Sequence, residues 1–353
     1  MKSGICSALF VLVLVAFGST RAHEPARGAY GVVDRFAIGG PGGWDDLTFD
    51  PASHRLFVSR FDRVVVLDAA SGKQLGTLPG TQGVHGIALA PDLGRGYTSN
   101  GHADSVTEFD LATLKVLRQL GPTGKNPDAI LYDPFSRRVF TFNGHSNNAS
   151  VLDARSGKLV ATIPLDGKPE FAVSDLRGHV YVNIEDKAEI TGIDSHSTKV
   201  LATWPLAGCE EPSGLAIDIK HRRLFSVCQN HRMIVVDPQD GHVVASVPIG
   251  AGPDGAAFDA ERGLAFSSNG RDGTLTVVHE DDPDHFHVLD NVPTQKSART
   301  MALDPTTHRI YLSAATFGAM PAGAGHQEHK RPPMVPDSFT VLVVGDTAPA
   351  RRQ

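Results

Sequence analysis

A short apolar hairpin recurs seven times in this chain, at intervals of about 40–45 residues. Each copy carries an aromatic residue near the start of its second strand: Phe57, Tyr97, Phe140, Tyr181, Phe225, Phe266 and Tyr311. Eight positions earlier, each copy has another apolar residue: Phe49, Leu89, Tyr132, Val173, Ile217, Phe258 and Leu303. A repeat of this length, read as four short strands, is typical of β-propeller blades. We therefore predict an all-β fold, a seven-bladed β-propeller.

The two ends of the array predict how the ring closes. The seventh repeat supplies a third strand at 339–344 and then ends without an outer strand, whereas 32–38 resembles an outer strand that lacks a repeat. An N-terminal strand in that place would complete the last blade and remove an open sheet edge. We assign 1–22 to a signal peptide, 23–345 to a single seven-bladed propeller and 346–353 to a C-terminal tail.

The first residues have the pattern of an export signal. Lys2 precedes an apolar run at 5–17, and Thr20-Arg21-Ala22 offers small residues near a cleavage site. The run is too short to span a bilayer. We expect a mature chain that starts near His23 and is periplasmic or secreted, without membrane insertion.

The formal net charge of -6 is unfavourable for nucleic acid or anionic lipid. The expected partner is a small molecule or a metal ion, and the expected state is a monomer. Cys209 and Cys228 lie at the same end of the fifth hairpin, which predicts a disulfide in an oxidising compartment. The alternative is two buried thiols.

In a propeller, the loops leading into the inner strands and the loops after the second strands share one face around the central channel. The first set of loops offers His85, Glu170 and Arg299, which are the candidate catalytic residues. The candidate ligand-binding residues come from both sets: Asp45, Asp128, Glu211, Asp254, Asn100, Asn143 and Asn269. The candidate metal ligands are the imidazoles and one carboxylate: His85, His102, His145, His231 and Glu170.

Mixed oxygen and nitrogen ligands suit a divalent ion such as Ca, Mn, Zn or Cu. Arg299 has the planar fork that binds a substrate carboxylate. The alternative is that Asp, Asn and Gly stand in these loops because they form tight turns. The sequence contains no Gly-x-Ser-x-Gly elbow, phosphate loop, His-Glu-x-x-His helix or Cys-x-x-Cys-His haem site. Catalysis would therefore depend on a metal or on acid–base groups.

Three segments, Tyr97-Thr98-Ser99-Asn100, Tyr181-Val182-Asn183 and Phe266-Ser267-Ser268-Asn269, resemble the Tyr-Val-Thr-Asn signature of YVTN-repeat β-propellers. The resemblance runs from about Tyr30 to Gly345 and implies a propeller fold and export. The family includes surface antigens, periplasmic binders and some metal-dependent enzymes. The favoured function is an exported propeller that binds a small molecule or metal at the channel mouth. The alternatives are a metal-dependent periplasmic enzyme using the same mouth (a hydrolase or lyase, or a copper oxidoreductase) and an interaction scaffold.

Two segments depart from the repeat. An insertion at 315–337 is rich in Gly and Pro and is predicted to be a solvated loop, with a lid as the alternative. His279, His285 and His287 surround the acidic stretch 280–284, which is also predicted to be a solvated loop, with adventitious metal binding as the alternative.

Overall fold

The described parts of the chain, residues 30–319 and 332–347 of a computed structural model, form seven antiparallel sheets of four strands each. Three short 3-10 turns interrupt them, at Pro91–Leu93, Gly101–Ala103 and Glu185–Lys187. Within these ranges no helix has the length and apolar character to cross a membrane. The predicted seven-bladed propeller is confirmed. The predicted signal peptide at 1–22, His23, residues 320–331 of the insertion and residues 348–353 lie outside the described residues.

Each blade runs from an inner strand at the channel to an outer strand at the rim. Blades one to three comprise β2 (Leu47–Asp50), β3 (Arg55–Arg60), β4 (Arg63–Asp68) and β5 (Gln74–Pro79); β6 (Val84–Ala90), β7 (Arg95–Asn100), β8 (Ser105–Asp110) and β9 (Val116–Leu120); and β10 (Pro127–Asp133), β11 (Arg138–Asn143), β12 (Asn148–Asp153) and β13 (Leu159–Pro164). Blades four to six comprise β14 (Pro169–Ser174), β15 (His179–Ile184), β16 (Glu189–Asp194) and β17 (Lys199–Pro205); β18 (Pro212–Asp218), β19 (Arg223–Cys228), β20 (Arg232–Val236) and β21 (Val243–Pro248); and β22 (Pro253–Asp259), β23 (Leu264–Asn269), β24 (Thr274–Asp282) and β25 (His285–Pro293). Blade seven comprises β26 (Met301–Asp304), β27 (Arg309–Ala314), β28 (Thr340–Asp346) and the N-terminal β1 (Tyr30–Ala37).

The second strands form the core because both of their faces pack against neighbouring blades. Each aromatic marker is the third residue of its second strand, and all seven are buried. The outer strands are mostly exposed because they lie at the rim, and β5 and β13 each bury a single residue, Leu78 and Ile163. Buried tyrosines also link neighbouring blades: Tyr97 donates to the carbonyl of Ala154 at 2.7 Å, and Tyr311 donates to that of Ala69 at 3.0 Å.

The ring closes as predicted, through the N-terminal strand. β1 pairs antiparallel with β28, from Tyr30 opposite Asp346 to Ala37 opposite Thr340. The connection from β1 to blade one passes through Gly39 and Gly40, both at positive φ (62° and 74°), where glycine is unstrained. The buried Arg60 guanidinium donates to the carbonyls of residues 39–42 at 2.9–3.1 Å and stacks 3.8 Å from the Phe339 ring centroid. This side chain therefore ties the connection to blades one and seven.

The predicted disulfide is present. Cys209 and Cys228 are bonded, with their Cα atoms 5.4 Å apart. The bridge ties the segment that leads into the inner strand of blade five to the end of β19, within blade five.

The acidic stretch near residue 280 is not the predicted solvated loop. β24 and β25 each extend to nine residues, and they pair His279 with His287 and Asp282 with His285. The prediction is wrong because strand pairing continues through the acidic residues, whose carboxylates accept hydrogen bonds from the histidines between them.

Candidate functional site

Each of the seven blades contributes one residue, at the start of its inner strand or just before it, to a common cavity of about 490 Å³ at the channel mouth. These residues are Asp45, His85, Asp128, Glu170, Ser213, Asp254 and Arg299. The close packing of inner strands around the channel requires this convergence, since each strand begins at the same face.

Charges of opposite sign follow one another around this mouth. Arg299 pairs with Asp254 of blade six and donates to Asp45 of blade one at 3.0 Å. His85 Nδ1 donates to the other oxygen of Asp45 at 2.5 Å and lies 3.5 Å from Asp128 of blade three. A continuous arc of ion pairs therefore runs from blade six to blade three.

Blade four has ion pairs of its own, centred on a lysine. Lys168 Nζ lies 2.7 Å from Glu170 and also contacts Glu185, which follows β15. Burial lowers the pKa of Lys168, but the two carboxylates raise it more, so the group remains a cation. Blade five contributes only the neutral side chains Ser213 and Gln229 to the cavity lining.

These contacts perturb the titration of the central groups. Burial lowers the pKa of His85, but hydrogen bonding to Asp45 and the charge of Asp128 raise it to about 9. Burial raises the pKa of Asp45, but the bond from His85 and the charge of Arg299 bring it below its ordinary value. At neutral pH the mouth thus holds an imidazolium between carboxylates.

The mouth contains more acids than it can neutralise. Burial, together with the charges of Asp45 and Asp254, raises the pKa of Asp46 to about 8. Burial and the nearby Asp128 raise that of Glu170 to about 8. Six carboxyl groups line the cavity together with three basic side chains: Asp45, Asp46, Asp128, Glu170, Glu185 and Asp254, facing His85, Lys168 and Arg299. Because Asp46 and Glu170 are mostly protonated at neutral pH, four carboxyl groups remain against the three bases. A cation entering the cavity would relieve this imbalance.

Asp45, His85 and Asp128 could hold a metal ion together. One ligand atom from each lies within 4.8 Å of the others. An ion with bonds of about 2.0–2.6 Å can span such separations after small side-chain movements. Coordination through His85 Nδ1 would displace the proton that this nitrogen now shares with Asp45.

The other predicted metal ligands do not join this group. His102 lines the cavity but is exposed and packs edge-on against Phe61, with ring centroids 5.5 Å apart. His145, His231 and Glu211 are exposed and lie outside the cavity lining. Glu170 lines the cavity but is paired with Lys168.

The three asparagines are inside the blades rather than at the mouth. Asn100 accepts from Thr98 at 2.8 Å and donates to Thr107 at 2.9 Å, and it is buried. Asn143 and Asn269 make equivalent bonds to hydroxyls at the same spacings, two residues before and seven after. The hydroxyl-x-Asn pattern followed by a hydroxyl seven residues later is a sequence signal for this structural role.

Sequence reasoning passed over Trp44, which lines the cavity beside Asp45. Its ring lies 5.3 Å from Phe339 and 5.8 Å from Phe317, the latter at the start of the insertion. Among the described residues, its buried indole Nε1 has no hydrogen-bond partner. Lys168 and Glu185 were also passed over, although each stands in one of the two loop sets that face the channel.

The fold and the mouth define this chain as a seven-bladed β-propeller with an acidic, ion-paired channel opening. It is 24% identical over 188 residues to the protein YncE of Salmonella typhi and to YncE of Salmonella typhimurium. The match covers 51% of this chain and spans about half (52%) of the length of those relatives. No protein-family model matches the chain, so the likeness to YVTN-repeat propellers remains a resemblance.

Among solved structures, the chain is similar to Kuenenia stuttgartiensis hydrazine synthase. The TM-score is 0.66 at 17% identity, over 76% of this chain and 92% of that one. At this identity, the likeness concerns the fold alone.

Proposed function

We propose that this β-propeller is a binding protein that takes a small cationic ligand, in particular a divalent metal ion, at its channel mouth. The observation that carries the proposal is the Asp45, His85 and Asp128 group, whose ligand atoms lie within 4.8 Å of one another. The charge balance around it supports the same conclusion: with Asp46 and Glu170 mostly protonated at neutral pH, four carboxyl groups still face three basic side chains, and the small negative excess attracts a cation.

Isothermal titration of tag-free protein with Ca²⁺, Mn²⁺, Zn²⁺ and Cu²⁺ tests this proposal. The informative variant is Asp128→Asn, because Asp128 lies near His85 while Asp45 also holds Arg299 in place. Asp166→Asn is the matched control, since this aspartate is exposed and outside the cavity. We expect the preferred ion to bind at least roughly tenfold more weakly to Asp128→Asn, and normally to the control.

Absence of binding by any of the four ions to the unaltered protein would refute the metal proposal. Equal affinity in Asp128→Asn and the unaltered protein would remove this group from the site.

A second candidate function is a metal-dependent hydrolase or lyase at the same mouth. It is favoured by Glu170, whose pKa of about 8 suits a general acid–base group operating near neutrality. Glu170→Gln would then abolish turnover in a screen of lactone and ester substrates while leaving metal affinity unchanged. If metal-loaded protein turns over none of them, the binding function is retained alone.

We also propose an exported, periplasmic location. The Cys209–Cys228 disulfide supports it, because such bonds persist in oxidising compartments. Fractionation of the producing cells with thiol labelling tests this: we expect periplasmic protein whose two cysteines resist alkylation until reduced. Cytoplasmic protein with free thiols would contradict it.

A further inference from the structure

Blade six carries a second cluster of histidine and aspartate side chains, at the end of its strands that lies opposite the channel mouth. β22 begins at the mouth with Pro253 and Asp254, so the parallel strand β24 also begins there and ends at the opposite face. The long β24–β25 hairpin therefore presents its turn, residues 283–284, on the face away from the channel opening.

Three side chains meet near this turn. His279 and His287 are cross-strand partners, and their ring centroids lie 5.4 Å apart. Asp281 accepts from His279 Nδ1 at 2.8 Å with one oxygen and from His287 Nδ1 at 2.7 Å with the other. The two Nδ1 atoms and the carboxylate oxygens thus lie close together in one small cluster.

The hairpin is held in position by blade five. Arg223 Nε donates to the carbonyl of Pro283 at 2.7 Å, and its Nη2 donates to Asp284 at 3.0 Å. Glu280 turns to the same side and meets His221 Nδ1 at 3.1 Å. His279 and Asp281 instead bond within the hairpin, to each other and, through Asp281, to His287. These contacts with blade five fix the position of the hairpin that carries the cluster.

We propose that His279, Asp281 and His287 form a binding site for a divalent late first-row transition metal, Cu²⁺ or Zn²⁺. One ligand atom from each residue lies within 4.8 Å of the others. Two imidazoles and one carboxylate match the preference of these ions, whereas Ca²⁺ and Mg²⁺ prefer oxygen ligands alone. His287 and Asp281 are about half exposed, so an ion reaches the site from solvent and retains open coordination positions.

The experiment titrates Cu²⁺ and Zn²⁺ into full-length, tag-free protein carrying Asp128→Asn, which removes one of the three ligands at the mouth and so reduces the contribution of that site to the signal. Calorimetry gives the affinity, and electron paramagnetic resonance of the Cu²⁺ form counts the coupled nitrogens. We expect one equivalent bound with two nitrogen ligands. His287→Gln should remove one nitrogen and weaken binding by roughly tenfold or more.

His285→Gln is the matched control, since this exposed histidine lies on the same hairpin but bonds Asp282 instead. It should leave affinity and spectrum unchanged. His279→Gln and Asp281→Asn provide independent tests, and unfolding temperatures verify that each variant is folded. The proposal is overturned if Cu²⁺ affinity and nitrogen count survive His287→Gln and His279→Gln, or if His285→Gln causes the loss. All of these variants share the Asp128→Asn background and the same mouth residues, so any difference between them is attributable to the blade-six cluster and not to the mouth.

Discussion

Arg60 at the seam of the ring offers a sharp test of how the propeller is held closed. The substitution Arg60→Met keeps an unbranched apolar stem against Phe339 but removes the guanidinium. Hydrogen bonds to the four carbonyls of residues 39–42 are lost, together with the cation–π contact at 3.8 Å. Three of these carbonyls share the two hydrogens of Nη2, so the four contacts count as three full hydrogen bonds.

The expected magnitude follows from these contacts. Each hydrogen bond contributes about 1 kcal/mol, because the carbonyls stand on half-buried or exposed residues that water can reach when Arg60 is gone. The cation–π contact adds about 1 kcal/mol. The variant no longer has to desolvate a charged group, which returns about 2 kcal/mol. The free energy of unfolding should therefore fall by about 2 kcal/mol.

Urea unfolding followed by tryptophan fluorescence measures this change, since Trp44 lies 5.3 Å from Phe339 at the same seam. Arg35→Met is the matched control, because Arg35 lies exposed on the closing strand itself, and it should shift stability by less than about 0.5 kcal/mol. If Arg60→Met also stays within about 0.5 kcal/mol of the unaltered protein, the reasoning on the seam is refuted.

Two further predictions concern stability. The Cys209–Cys228 bond closes a loop of sequence separation 19, so its reduction should lower the free energy of unfolding by about 3 kcal/mol. Unfolding measured with and without reductant gives this difference. A double Cys→Ser variant whose stability still responds to reductant would contradict the prediction. The buried Asp133 carboxylate accepts from Ser136 and Ser174, and although burial raises its pKa, these bonds bring the pKa below its ordinary value. The folded-state pKa is thus lower than the unfolded one, so the stabilisation is present above about pH 4 and is lost as the pH falls through the folded-state pKa. Asp133→Asn should flatten the decline of unfolding free energy in acid, and an unchanged acid slope would show that this carboxylate is not responsible.

Most of the fold could be predicted from the sequence because the repeat is encoded locally. Each aromatic marker and its apolar partner eight positions earlier lie on paired strands of one hairpin, as with Phe49 opposite Leu56 beside Phe57. Closure was also predictable, because the missing outer strand of blade seven left one unpaired segment at the other end of the chain.

The position of the site could be predicted from the sequence, but the hydrogen bonds and ion pairs between its side chains could not. The lead-in positions of His85 and Asp45 follow from the repeat, 40 residues apart. Whether His85 would bond Asp45, or Lys168 would bond Glu170, depends on side-chain reach across blades, which no periodicity encodes. For the same reason, the acidic stretch around Asp281 was wrongly predicted to be a loop. Its charges are compensated by histidines, and only the register between β24 and β25 places these histidines beside the carboxylates.

The odd number of blades limits how far charges can alternate in sign around the channel. A ring of seven members cannot alternate in sign throughout, because an odd cycle must contain at least one mismatched neighbour. Here blade four supplies both a carboxylate and Lys168, and blade five supplies the uncharged Ser213. An even-bladed propeller could alternate in sign all the way round, whereas this ring has an uncharged position in blade five, the blade that also carries the disulfide. An approaching ion therefore meets a directional electric field rather than a symmetric one.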